Sequence, residues 1–375
     1  MTPSMKSTLK ILNVEELKLL ARQTGPCVTM QVPDYQPGAL AGSRSAYLRQ
    51  LTQTAAERLR HLNRPAETDG ILAGLEELAS TLNDGHGGPG FAVFAAPGFE
   101  AAYLTPGVRS DRVTVASRFD LLPLLTTAQA PWDFYILGLS KNKTRLFHYD
   151  HSQCDEVPLP AGVPESLIAA GAFDMPDHRL QNRSTVGRST GDMTAASFGT
   201  LSDREAAPEY LKHFFALLDK GLKDTIKDTP LFLAGVREEL AEYRRVAKYG
   251  RIFESEYLGT IEYFSAEQVA QQAGAAALGE YHLACEQALK PISEVRDKIT
   301  GDPEAVLKAA YEGRVRQIFV AEDARVSGPN VAGAYAGEDM VNAAVVEGLR
   351  TGADIFSIPG KELPDFGPIA AVLRF

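Results

Sequence analysis

The apolar and polar positions change period repeatedly along this chain, as expected where helices are interleaved with strands. Asn13-Val14-Glu15-Glu16-Leu17 opens a helix, with Asn13 placed to cap it by accepting from a free backbone N–H of the first turn. Cys27 to Val32 alternates like a strand and stops at Pro33. Helical spacing returns in Ser43 to Leu62, through Tyr47, Leu51, Ala55, Leu59 and Leu62, and again in Thr68 to Leu82, through Ile71, Leu75, Leu78 and Leu82. Phe91 to Phe94 then reads as a strand, and further strands are expected near Ala101 and Val113. Between the second helix pattern and Phe91 lies the cluster Gly85-His86-Gly87-Gly88-Pro89-Gly90. It lacks the Lys-Ser/Thr of a nucleotide loop and leads into a strand, so it reads as a turn, not a phosphate cradle.

The pattern changes at Pro131. Asp133 to Leu139 and Thr144 to Tyr149 read as strands joined by the polar turn Ser140-Lys141-Asn142-Lys143. Regular periodicity then disappears from Pro158 to Ala207. It resumes in a helix from Pro208 to Lys223, where proline suits the first turn and Leu211, Phe214, Phe215, Leu218 and Leu222 share a face. Pro230 to Gly235 is a buried strand, and a charged helix follows over Val236 to Lys248, with Glu238, Glu239 and Glu242 and then Arg244 and Arg245 on a solvent face. Ala266 to Leu278, Tyr281 to Ile299 and Pro303 to Ala310 read as helices.

The last stretch alternates most clearly. Gly313 ends a helix, Val315 to Val320 is a strand, and Met340, Val341, Ala344, Val345, Gly348 and Leu349 mark a helix ending at Gly352. Two more strands, Asp354 to Ile358 and Ile369 to Phe375, close the chain. The fold class is α/β, in three α/β-type domains with joints near 130 and 260: residues 1–130, 131–260 and 261–375.

Gly313 to Val320, Asp339-Met340-Val341-Asn342-Ala343-Ala344 and the closing Ile369 to Phe375 resemble the C-terminal α/β sandwich of archaeal and eukaryotic peptide release factors and pelota-type rescue factors. The chain most resembles the bacterial relatives of those factors. The resemblance is good over 265–375, fair over 131–255 and poor before that. It implies engagement of the ribosome or a tRNA, in rescue or termination-like release of stalled peptides. The middle domain would lie at the tRNA end, and the last domain would dock a protein partner such as a translational GTPase.

Composition narrows this. At 375 residues the chain exceeds what one core usually holds. Hydrophobic content of 45% and charged content of 23% are ordinary, and no apolar run is long enough to span a bilayer. The start lacks the pattern of a signal peptide, and Cys27, Cys154 and Cys285 show neither metal spacing nor an even count. Reduced thiols in a cytoplasmic protein are the expectation, with no cofactor, no metal, no membrane and no DNA. A net charge of −10 argues against a chain that coats nucleic acid, so any RNA contact must be local.

One such place stands out. The stretch from Phe173 to Glu205 has no periodicity, and Arg179 to Gly191 carries Arg179, Arg183 and Arg188 with no acidic residue. Arginine forks grip phosphate, and Asn182 with the neighbouring Ser, Thr and glycine amides can fill in around it. Lys141 and Lys143 extend the patch. The resembled factors place a Gly-Gly-Gln loop at this point of the chain to position water against the peptidyl-tRNA ester. No Gly-Gly-Gln occurs here, which leaves Gln181 as the candidate to stand in for it. For partner docking the candidates are Arg325, Asn330 and Tyr335 in the loop from Glu322 to Gly337. Two alternatives stay open: an adaptor that binds ribosomal RNA or protein without hydrolysis, and an RNA endonuclease using His178 with Asp174 and Asp177. Ser202 and Glu205 read as a helix capping box, and His148 and His151 as surface histidines.

Overall fold

The structure, a computed structural model, describes residues 9–33, 44–61, 65–81, 90–108, 110–151, 153–174, 201–294, 298–328, 338–363 and 365–374. By contacts the chain forms two compact units, one of Met1–Trp132 together with Ala277–Phe375, the other of Asp133–Ala276. Each of the three expected segments contributes one β-sheet, and the sheets of the first and third segments belong to the same unit.

In the first segment α1 (Val14–Ala21) is capped by Asn13, whose side chain accepts from Glu16 N–H at 3.0 Å. Then follow β1 (Cys27–Val32), α2 (Arg44–Arg60), α3 (Pro65–Thr81), β2 (Phe91–Ala96), β3 (Phe99–Leu104), β4 (Arg112–Ala116) and α4 (Leu125–Gln129). The sheet order is β3-β2-β1-β4, antiparallel throughout. β1 and β2 are buried along their whole length; α2 and α3 cover one face of the sheet, where Leu48, Leu51, Leu59, Ile71 and Leu75 pack against the alternate residues Val28, Met30, Val32, Phe91, Val93 and Ala95.

The second segment carries β5 (Asp133–Gly138), β6 (Arg145–Asp150), β7 (Gln153–Val157), α5 (Leu167–Asp174), α6 (Leu201–Ile226), β8 (Leu231–Gly235), α7 (Arg237–Val246) and β9 (Ile252–Leu258). The sheet order is β7-β6-β5-β8-β9; β5, β8 and β9 are parallel, while β6 and β7 return antiparallel. Three features differ from the sequence reading. β7, α5 and β9 lie where the pattern predicts no element. α6 begins at Leu201, seven residues before Pro208, so Ser202 lies within the helix and not at its cap. Proline forfeits one backbone bond there, a modest loss for a 26-residue helix that buries Phe214, Phe215, Leu218, Leu222 and Ile226 completely. α8 (Ala266–Leu289) is one helix where two were expected. Gly279 costs about 1 kcal/mol relative to alanine. That is too little to break a helix whose Val269, Ala273, Ala277, Tyr281 and Cys285, four residues apart, form one buried stripe.

The third segment holds β10 (Ile299–Thr300), α9 (Pro303–Tyr311), β11 (Val315–Ala321), α10 (Met340–Thr351), β12 (Asp354–Ile358) and β13 (Ile369–Leu373). Its order is β10-β13-β11-β12, with β11 and β12 parallel across α10. Gly313 and Gly352 take φ of 67° and 76° after α9 and α10, so both helices end at left-handed glycines. α10 is buried over nearly its whole length, packing on α9 and α1. No described helix is long and apolar enough to cross a membrane.

Candidate functional site

In an open sheet with parallel strands, the carboxyl ends of those strands are where a ligand most often meets the fold. In the Asp133–Ala276 unit that edge is made by the turns after β5, β8 and β9. The turn after β5 is held from within. The Ser140 hydroxyl oxygen accepts from Asn142 N–H at 3.1 Å and Lys143 N–H at 3.4 Å, and the Thr144 hydroxyl donates to Ser140 C=O at 3.2 Å. The turn is also tied to the entry of α5, because Leu167 N–H donates to Lys141 C=O at 2.9 Å and Thr144 N–H to Glu165 C=O at 2.7 Å. With their backbone fixed in this way, Lys141, Asn142 and Lys143 all point their side chains to solvent.

Carboxylates lie beneath the lysines. Glu239, expected on a solvent face of α7, is buried. Burial raises its pKa, while the charge and backbone N–H of Lys141 pull it down. Glu262 accepts from the Ser140 hydroxyl at 3.3 Å. The connection from β9 into α8 is clamped by Arg145. This guanidinium pairs with both oxygens of Glu156 at 2.8 and 2.7 Å and reaches the carbonyls of Ile261, Glu262 and Phe264 at 2.9–3.1 Å. The clamp leaves Tyr263 84% exposed beside that edge.

A second polar centre lies in the other unit, where the loop after β4 meets the start of α10. Asn342, 6% exposed, accepts from Leu121 and Leu122 N–H at 2.9 and 3.1 Å and donates to Phe119 C=O at 3.0 Å. Arg118, also buried, reaches Glu347 at 3.4 Å, the Tyr311 hydroxyl at 3.2 Å and Glu338 at 3.5 Å. Asp339 caps α10 by accepting from Val341 N–H, and from Val326 N–H as well, both at 3.1 Å. Burial raises the Asp339 pKa against those bonds and the charge of Arg325.

The residues anticipated from the sequence divide accordingly. Lys141 and Lys143 stand together on the ordered turn. Arg325 is turned toward the charged centre, 3.5 Å from Asp339 and 3.9 Å from Asp120. Gln181, Arg179, Asn182, Arg183 and Arg188, with His178 and Asp177, lie outside the described residues, as do Asn330 and Tyr335. His148 pairs with Asp133 at 2.8 Å, and His151, at φ 59°, lies against Asp150. Among the described residues no cluster of His, Cys, Asp and Glu is arranged to hold a metal. The buried centre around Arg118 and Asn342 was not anticipated. Its partners are more than 190 residues apart in sequence, and no local pattern marks them.

Residues 133–314 match the family model of the bacterial archaeo-eukaryotic release factor family 3. No curated protein matches the chain. Among solved structures it is similar to the archaeal translation termination factor aRF1 at 13% identity, covering 97% of this chain and 99% of that one with a TM-score of 0.26. It is similar to Dom34 of S. cerevisiae at 11% identity, covering 78% and 75%, with a TM-score of 0.33. A ribosome-bound archaeal Pelota is 8% identical over 98% and 95%, with a TM-score of 0.35. The match over 133–314 takes in the whole Asp133–Ala276 unit and continues through α9. Over residues 133–314, a little under half of its length, the chain matches a bacterial archaeo-eukaryotic release-factor-like family.

Proposed function

We propose that the protein engages the ribosome or a tRNA in rescue or termination-like release of stalled peptides. The observation that carries this reading is the family match over 133–314, the part of the chain that presents the ordered basic turn at Lys141 and Lys143. The turn is pre-organised: Ser140 and Thr144 fix its backbone before any ligand arrives, so two ammonium groups are offered to phosphate at little further ordering cost. Arg179, Arg183 and Arg188, with Asn182, add to this contact with the tRNA acceptor end. A translational GTPase docks on the last segment through Arg325, Asn330 and Tyr335.

A second reading is favoured by the sequence itself. Without Gly-Gly-Gln, hydrolysis falls to Gln181, which has no flanking glycines to bring it close to an ester. A binder that keeps the fold and hydrolyses nothing accounts for that loss. Ribosome co-sedimentation paired with peptidyl-tRNA turnover separates the two readings. Binding with turnover makes the chain a release factor, binding without turnover makes it an adaptor, and no binding in either assay overturns both. Replacing Lys141 and Lys143 by alanine should weaken binding and lower the salt dependence of log affinity by up to about two.

A further inference from the structure

We propose that the cavity between β4 and the start of α10 binds a small zwitterion carrying one ammonium and one carboxylate, of the free α-amino-acid class. The cavity measures about 230 Å³. Pockets for drug-sized ligands begin near roughly 300 Å³, so this one suits a smaller solute. Its charged lining is balanced: Arg112, Arg118 and Arg325 face Asp120, Glu338 and Asp339. A lone anion or cation would leave uncompensated charge in a site where Arg118 and Asp120 are more than nine-tenths buried, whereas a zwitterion keeps the balance.

The hydrogen-bonding capacity left over has a matching shape. Asp120 Oδ1 and Asp339 Oδ2 are buried and accept no hydrogen bond. Their nearest cation is Arg325, at 3.9 and 3.5 Å, beyond ordinary N–H···O distances. The other oxygen of each is already committed, Asp120 Oδ2 to the Thr114 hydroxyl at 3.1 Å and Asp339 Oδ1 to two backbone N–H groups. Two orphaned carboxylate oxygens on either side of one guanidinium call for a compact donor-rich group, and an ammonium brings three donors. Arg112 supplies the other half. Its contact is Asp120 Oδ2 at 3.9 Å, and its side chain is 43% exposed, so its fork is available at the rim for a carboxylate. Buried acceptors left unmet are costly, which is the physical reason to expect an occupant.

Calorimetric titration of the full chain tests the assignment, with glycine, alanine and serine as probes and methylammonium chloride and sodium acetate as half-ligands. Saturable binding of the amino acids, with at least tenfold weaker binding of either half-ligand, is the expected result. Arg112→Ala, on an exposed position of an edge strand, should lose about tenfold in affinity while the fluorescence of Trp132 shows the unit still folded. Asp120→Asn should lose the amino acid too; where that variant fails to fold, Arg112→Ala decides alone. Absence of heat with all three amino acids would make the cavity a water-filled structural void and overturn the proposal. Equal binding of methylammonium, or unchanged affinity in Arg112→Ala, would overturn the zwitterion specifically. None of these outcomes depends on ribosome binding.

Discussion

Replacing Asn342 by alanine should selectively destabilise the unit built from Met1–Trp132 and Ala277–Phe375. The side chain satisfies two backbone N–H groups, of Leu121 and Leu122, and donates to the carbonyl of Phe119, all in a buried setting. Each buried polar group left unpaired costs about 1–3 kcal/mol. Three such groups, discounted for water entering the vacated space, give about 3–4 kcal/mol. With a urea m-value near the upper end of the usual range of about 1–3 kcal/mol/M, the midpoint falls by about 1 M or somewhat more. The assay is convenient because the chain has a single tryptophan. Trp132 is buried and donates to Thr127 C=O at 2.6 Å within this same unit, so its fluorescence follows the relevant transition. A midpoint shift below about 0.2 M, equivalent to roughly 0.5 kcal/mol, would refute the reasoning that Asn342 joins the two segments through those bonds.

Other consequences are equally accessible. Arg145→Ala removes a bidentate ion pair and three carbonyl contacts at once, and should destabilise the Asp133–Ala276 unit by about 2–4 kcal/mol in thermal unfolding; Arg145→Lys should not restore it. Glu239 has its pKa raised by burial, so its folded form favours the protonated state. Its contribution is most favourable below the ordinary glutamate range and is lost as pH rises through its raised pKa. Glu239→Gln should therefore stabilise the protein at pH 7 and lose that advantage in acid, as read by Tm across a pH series. Burial pushes the Cys27 and Cys154 thiols up to about 12 and raises Cys285 as well. A thiol reagent at pH 8 should find essentially none of the three in the native protein and all three in urea. Gly352→Ala, which places a side chain at φ 76°, should cost about 1 kcal/mol.

Local signals in the sequence carried well into the structure wherever one residue type enforces one backbone state. Asn13 caps α1, Gly313 and Gly352 stop α9 and α10, and the full burial of β2 and β8 follows from their unbroken apolar runs. β9 escaped notice because its alternation, Ile252-Phe253-Glu254-Ser255-Glu256-Tyr257-Leu258, is that of an edge strand with charged outward positions. Glu239 read as a surface charge because its partner, the turn at Lys141, is nearly a hundred residues away in the chain. A separation of more than 190 residues hid the centre around Asn342 and Arg118. Buried polar residues of this kind carry no periodic signature; only the fold brings their partners to them. Of the anticipated site, the Lys141–Lys143 turn was legible because Ser140 and Thr144 flank it with hydroxyls that fix a turn locally.

The central claim is that the chain binds the ribosome or tRNA through phosphate contacts made by the segment that matches the release-factor family. Co-sedimentation with ribosomes across a salt series measures it directly, comparing the unaltered protein with a variant in which Arg179, Arg183 and Arg188 are alanine. Each phosphate contact contributes about 0.9 to the slope of log affinity against log salt on a duplex and about 0.7 on a single strand. The account predicts weaker binding and a slope lower by about two to three, with Gln181→Ala indistinguishable from the unaltered protein in binding. Unchanged affinity and slope in the triple variant would contradict it.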